Sequence, residues 1–82
     1  MSLNTKATGM ALGSIAGLVW LVMMGFSLLS GIGVRTVTTL GSYHPYFSYS
    51  WIGLVVMVVE HLSGGFILGW VFANLYNYFL KK

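Results

Sequence analysis

The sequence predicts an all-α membrane protein, folded as a two-transmembrane helical hairpin with an aromatic interfacial loop. The chain has 82 residues, of which 57% are hydrophobic and only 6% are charged, whereas soluble domains carry roughly 25% charged residues. A soluble chain of this length buries too little surface to hide so many apolar side chains. Two apolar runs also exceed the about 20 residues that a transmembrane helix requires. We therefore expect residues 1–82 to form a single membrane domain.

The first span is predicted over about residues 7–34. A short polar lead precedes it, in which Asn4 or Thr5 can cap the first turn of the helix. The uncharged stretch is longer than the apolar region of about 7–15 residues in a signal peptide, and no cleavage-site pattern follows it. We therefore expect this span to be retained.

Both predicted spans carry small residues at four-residue spacing. In lipid, small side chains at this spacing let two helix backbones approach closely. The simpler interpretation is packing of the two spans against each other, and the alternative is an interface between copies of the chain. The stripes comprise Gly9, Gly13, Gly17 and Gly25 in the first span, and Gly53, Gly65, Gly69 and Ala73 in the second span, where His61 shares the line.

Residues 35–50, between the spans, differ in composition. Residues 35–40 are amphipathic and fit either a last turn of the first helix or a short helix in the interface, and Gly41 and Pro45 predict a turn. Tyr and Trp collect at membrane interfaces, so we predict an aromatic belt and a connection along the membrane surface rather than an aromatic ligand-binding box. The belt residues are Tyr43, Tyr46, Tyr49 and Trp51, with Tyr76 and Tyr78 at the second interface.

The second span is predicted over about residues 51–80, with Ser50 as its N-terminal cap. Basic residues lie at the ends of the apolar runs, where they contact lipid headgroups, so the net charge of +3 does not indicate nucleic-acid binding. The positive-inside rule places both termini in the cytoplasm, and we expect a prokaryotic cytoplasmic membrane. The topology charges are Lys6, Lys81 and Lys82 on one side against Arg35 on the other.

Glu60 lies well inside the second span, nine residues beyond Trp51, or about 13 Å along a helix. Ionisable residues inside a membrane are expensive and mark functional sites or partners. Several interpretations stay open: a neutral carboxyl hydrogen-bonded to Ser27 or Ser30, a pair with His61 of a neighbouring copy, contact with another protein, or a proton or cation site. Each would relieve the cost of burying the carboxyl group.

His61 follows Glu60 directly, so the two side chains point about 100° apart on a helix. The first span has no histidine and the chain has no cysteine, so no metal site is predicted. Haem ligation would need His61 from two copies, whereas a chlorophyll-type pigment needs only one histidine. A hydrogen-bonded packing role is the simpler alternative. The chain has one glutamate and no aspartate, and no catalytic grouping is present, so we predict neither an enzyme nor a cofactor.

Short motifs along most of the chain resemble a poorly characterised group of two-span bacterial and archaeal membrane proteins, often labelled holin-like. The resemblance implies a small hairpin whose second span carries an acidic residue, here Glu60, about a turn from the position usual in that group, and it brings no catalytic residues. The motifs are Leu3-Asn-Thr-Lys-Ala7 followed by Leu12-Gly13, Leu40-Gly41-Ser42 with Tyr43 and Pro45, and Phe72-Ala-Asn-Leu-Tyr-Asn77.

The leading functional hypothesis is a small non-catalytic accessory subunit, which packs into a homo-oligomer or a larger membrane complex and docks through Glu60 and His61. One alternative is a holin-like self-assembling pore. Another is an oligomer that conducts protons or cations through Glu60, and a minor one is a pigment- or haem-associated subunit using His61. The expected partners are the lipid bilayer and either further copies of the chain or a larger complex, with no nucleic acid.

Overall fold

The computed structural model describes residues 2–81, and these form three α-helices and no strand. Helix α1 comprises Thr5–Ser30, α2 comprises Val34–Gly41 and α3 comprises Trp51–Leu80. The prediction of an all-helical fold is confirmed. By length and composition, α1 and α3 are each able to cross a membrane.

Local interactions at Asn4 and Gly31 determine where helix α1 begins and ends. The side chain of Asn4 accepts a hydrogen bond of 2.8 Å from the backbone N–H of Ala7, so Asn4 is the cap rather than Thr5. The helix ends at Ser30, four residues before the predicted end at Val34, because Gly31 adopts a left-handed φ of 75° and donates its N–H to the carbonyl of Ser27. A glycine in this conformation is a common helix terminator.

Residues 34–41 consequently form a separate helix rather than a last turn of α1. Helix α3 then begins at Trp51, the predicted residue, and the hydroxyl of Ser50 accepts a hydrogen bond of 3.0 Å from the N–H of Gly53. The predicted cap at Ser50 is therefore confirmed. Such a cap satisfies one of the unpaired N–H groups at the start of a helix.

Helices α1 and α3 pack side by side and antiparallel. At one end Asn77 binds the backbone of Leu3 twice, accepting from its N–H at 2.8 Å and donating to its carbonyl at 2.7 Å. At the other end the hydroxyl groups of Ser27 and Tyr49 share a hydrogen bond of 2.6 Å. The two ends of the described chain therefore lie at the same end of the molecule.

The connection between α1 and α3 folds back along the helix pair. Thr36 and Val37 of α2 line a cavity together with Met23 and Phe26 of α1. Further along the connection, the ring of His44 lies 5.4 Å from that of Trp20. Trp20 lies ten residues before the end of α1, or about 15 Å from it.

The central turn of the connection therefore lies against the helix pair rather than beyond the ends of the helices. The reason lies in buried contacts that hold the connection against the helices: Val37 is 1% exposed, and Gly41 is covered by the ring of Phe47. Val37 joins the hydrophobic core, whose other members are Trp20, Met24, Leu54 and Met57. Whether the aromatic residues of the connection lie at a membrane interface stays a prediction.

Candidate functional site

The glycine stripe of α1 packs against α3 over part of its predicted length. A Cβ atom built on Gly13 would lie 2.6 Å from the carbonyl oxygen of Leu62, and one on Gly9 would lie 2.8 Å from that of Phe66. A Cβ on Gly17 would meet the side chain of Leu62 at 2.9 Å. Gly25, by contrast, has nothing within 4 Å of such an atom.

Gly25 does not belong to this interface because a four-residue step turns a helix by about 400°, or 40° more than one revolution. Four such steps separate Gly9 from Gly25, so the two residues point about 160° apart. Beyond Gly17 the buried line continues instead through Trp20, Met24 and Ser27.

The stripe of α3 also divides into two parts. Gly65 and Gly69 lie against the backbone of α1, where their built Cβ atoms would come within 2.7 Å of Gly13 Cα and of Thr8 O, respectively. Ala73 is fully buried. Gly53 instead approaches the backbone of Ser48 in the connection. The closest backbone approaches of both stripes are thus made within one chain.

Glu60 is partly buried, and its Oε2 atom is buried without a hydrogen-bond partner among residues 2–81. The predicted hydrogen bond to Ser27 or Ser30 is wrong. Ser27 binds Tyr49, and the hydroxyl of Ser30 donates to the carbonyl of Phe26. In the antiparallel pair both serines lie near the end of α1 where α3 begins, whereas Glu60 lies nine residues into α3.

His61 has partners within its own chain. Its Nδ1 atom lies 2.8 Å from the carbonyl oxygen of Met57, and its ring centre lies 5.1 Å from that of Trp20. The ring of His44 lies 4.9 Å from that of His61 and tilted by 42° to it. The structure thus brings together the two histidines of the chain, which are 17 residues apart in sequence.

The sequence did not indicate a role for His44, because the residues around it were interpreted only as a turn and as part of an aromatic belt. His44 lies where the connection folds back along the helices. Sequence spacing does not predict which helix residue a loop residue will contact. Its Nδ1 atom lies 2.9 Å from the carbonyl oxygen of Leu40. A backbone carbonyl only accepts, so His44 and His61 both donate from Nδ1, and in the neutral form of each ring Nε2 is the lone-pair atom.

The predicted belt residues differ in their surroundings. Tyr43 and Tyr46 are 80% and 87% exposed, whereas Tyr49 is partly buried through its contact with Ser27. Their interfacial position stays a prediction. The other belt residues, Trp51, Tyr76 and Tyr78, are exposed.

The topology charges that the structure describes are exposed. Lys6 and Lys81 lie at the same end of the molecule, and Arg35 lies in α2 at the other end. Lys82 lies outside the described residues. Within residues 2–81, no group of three His, Cys, Asp or Glu side chains is arranged to hold a metal ion.

Taken together, the fold and the site define a small all-helical protein with two apolar helices of membrane-spanning length. One of these helices carries a carboxyl oxygen that has no hydrogen-bond partner among residues 2–81. Comparisons with protein-family models, with curated proteins and with solved structures found no match to this chain. The resemblance to holin-like proteins therefore stays a prediction.

Proposed function

We propose that this chain is a small, non-catalytic membrane subunit that docks through Glu60 onto a hydrogen-bond donor of a partner helix. The observation that carries the proposal is the buried Oε2 atom of Glu60, which has no hydrogen-bond partner among residues 2–81. A buried polar group without a partner costs about 1–3 kcal/mol, and more when charged. The Glu60 side chain as a whole is only partly buried, so a donor group on another transmembrane helix can approach the carboxyl group and, after rotation of that group, remove the cost.

Two further observations support an intermolecular role for Glu60. The ring of His61 already packs against Trp20 and His44, so the carboxyl group is the part of the predicted pair that lacks a partner. The small-residue faces of α1 and α3 are used against each other. A partner therefore meets the face that carries Glu60 rather than a glycine stripe.

The surface of the helices fits a lipid environment. Large apolar side chains are exposed along both α1 and α3, among them Leu18, Val22, Ile67 and Leu68. We propose that both helices cross a prokaryotic cytoplasmic membrane with both termini in the cytoplasm. The partner is a further copy of the chain or a larger membrane complex, and nucleic acid has no part in the function.

The experiment compares purification of the wild-type chain, Glu60→Leu and Glu60→Gln from the native membrane in mild detergent. We expect a partner, or a second copy, to co-purify with the wild-type chain and to be lost with Glu60→Leu. Ser63→Leu is a matched control, because Ser63 is an exposed residue on the same helix. Retention of the same assembly by Glu60→Leu, or a wild-type chain that purifies as a monomer, would contradict docking through Glu60.

A proton or cation path is the second candidate function. Glu60 and His61 are neighbours in α3, and His44 lies beside His61, so ionisable groups from two segments gather at one level of the helix pair. Reconstitution in liposomes tests this path. If Glu60→Gln abolishes a proton flux that the wild-type chain supports, conduction replaces docking as the function.

The remaining alternatives have less support. A self-assembling holin-like pore needs a polar stripe facing water, whereas large apolar residues dominate the exposed side chains of both long helices. Haem or pigment ligation by His61 would place a large planar macrocycle next to Trp20 and His44, whose rings already pack on this histidine.

A further inference from the structure

We propose that His44 and His61 form a binding site for a late first-row transition-metal ion such as Zn²⁺ or copper. The two imidazole rings come from different segments, the turn after α2 and the middle of α3, and both are partly buried. The site does not depend on the proposed docking through Glu60.

The separation of the two rings suits one shared ion. Their centres lie 4.9 Å apart. An ion held by two imidazole nitrogens at about 2.0–2.1 Å in tetrahedral geometry sets the ring centres on the order of 5 Å apart. Imidazole is a preferred ligand of zinc, copper and nickel, whereas magnesium and calcium prefer oxygen ligands.

The hydrogen bonds of both rings provide a second, independent observation. A metal-binding histidine almost always donates its other ring N–H to a carboxylate, a backbone carbonyl or water, which fixes its tautomer and orientation. His44 donates from Nδ1 to the carbonyl of Leu40 and His61 donates from Nδ1 to that of Met57. In both residues the unprotonated Nε2 is therefore the atom left for a ligand.

Both histidine side chains are only partly buried. Trp20 is 6% exposed and packs against both rings, so it forms a fixed wall of the site. Within residues 2–81 no third His, Cys, Asp or Glu completes the group. Water or another small ligand would occupy the other coordination positions of the ion, which makes the ion exchangeable rather than structural.

The test uses the full chain without a polyhistidine tag, purified in detergent and titrated with Zn²⁺ and with Cu²⁺ by calorimetry. We expect one ion per chain. His44→Gln and His61→Gln should each weaken binding by about tenfold or more, the size of effect seen when even an outer-shell group of a metal site is removed. Asn74→Gln is the matched control, because Asn74 is an exposed residue of α3 thirteen residues beyond His61, so its affinity should stay close to that of the wild-type chain.

A spectroscopic measurement on the wild-type chain keeps the proposal testable if a histidine variant fails to fold. Pulsed electron paramagnetic resonance of the Cu²⁺-loaded chain counts the imidazoles bound to the ion, and we expect two from one chain. The absence of binding, a count of one imidazole, or unchanged affinity in both single-histidine variants would overturn the proposal. A stoichiometry of one ion per two chains would overturn it as well, because the ligands would then come from different copies.

Discussion

At the scale of single residues, the carboxyl group of Glu60 combines burial with an unused hydrogen-bonding atom. Other polar groups in the helix pair are satisfied: Ser27 binds Tyr49, and Nδ1 of His61 donates to the carbonyl of Met57. Ser27 is 1% exposed and still has its partner. An atom without a partner among residues 2–81 is what we expect of the proposed docking group, because buried polar groups are normally paired.

This interpretation predicts that Glu60→Leu stabilises the isolated chain while it removes the docking group. Replacing a buried unpartnered carboxyl by an apolar side chain should raise the free energy of unfolding by about 1–3 kcal/mol. Denaturant or thermal unfolding of the purified monomer in detergent measures the change. Glu60→Gln is the control, because it keeps a polar group at the position and should gain little stability. A loss of stability in Glu60→Leu would show that the carboxyl group has a partner within the chain.

Ser27 and Tyr49 provide a second prediction at this scale. Tyr49→Phe removes one hydroxyl and leaves the buried Ser27 hydroxyl without it, which should cost about 0.5–1.5 kcal/mol. The double variant with Ser27→Ala should lose less than the sum of the two single losses, because the pair acts as a unit. Unfolding of the four chains measures the coupling. Strictly additive losses would contradict a hydrogen bond that helps to hold the connection on α1.

At the scale of elements, the glycines that approach a partner backbone are those that a larger side chain should disrupt. Neighbouring Gly64 and Gly65 allow a matched test within one turn of α3. A Cβ on Gly65 would lie 2.7 Å from Gly13 Cα and 2.9 Å from the carbonyl oxygen of Leu12, whereas one on Gly64 would have nothing within 4 Å. The two positions thus share local helix geometry and differ in their contact with α1.

We predict opposite effects of alanine at these two positions. Gly65→Ala forces the two backbones apart and should cost about 1–3 kcal/mol, the usual range for overpacking. Gly64→Ala only improves helix propensity and should gain up to about 1 kcal/mol. Thermal unfolding in one detergent compares them directly. Equal effects at both positions would contradict close packing of α3 on α1.

The sequence was informative about elements to the extent that the controlling interactions are local. The start of α3 and its cap at Ser50 depend on neighbouring residues, and both were predicted. The spacing of Gly9 and Gly13 predicted a packing surface in the same way. The exclusion of Gly25 was predictable as well, because the drift of about 40° per four-residue step follows from helix geometry alone.

At the scale of the whole molecule, the fold-back of the connection is the feature that sequence did not predict. Turn and aromatic residues in 41–51 predicted a loop at a membrane interface, and nothing local indicated that the loop returns along the helices. Its place follows from tertiary contacts, in which His44 meets Trp20 and Phe47 covers Gly41. The histidine pair exists only because of those contacts.

The course of the chain also predicts how the molecule lies in a membrane. Leu3 and Asn77 are hydrogen-bonded to each other, so the two ends of the described chain lie together, and both reach the same side of a bilayer if α1 and α3 cross it. The chain has no cysteine, so single cysteines can report that side without background. Ser2→Cys and Leu80→Cys mark the two ends, and Thr39→Cys marks the connection. All three positions are exposed.

We expect a membrane-impermeant maleimide to label Thr39→Cys in intact cells, and to label Ser2→Cys and Leu80→Cys only after the membrane is opened. The physical reason is the excess of lysine at the end that carries the termini, since positively charged segments stay in the cytoplasm. These substitutions leave every lysine and arginine in place, so the charge balance that sets orientation is unchanged. Labelling of Ser2→Cys and Leu80→Cys from opposite sides would contradict a chain in which both long helices cross the bilayer. The reverse pattern at all three positions would keep both crossings and contradict the cytoplasmic placement of the termini.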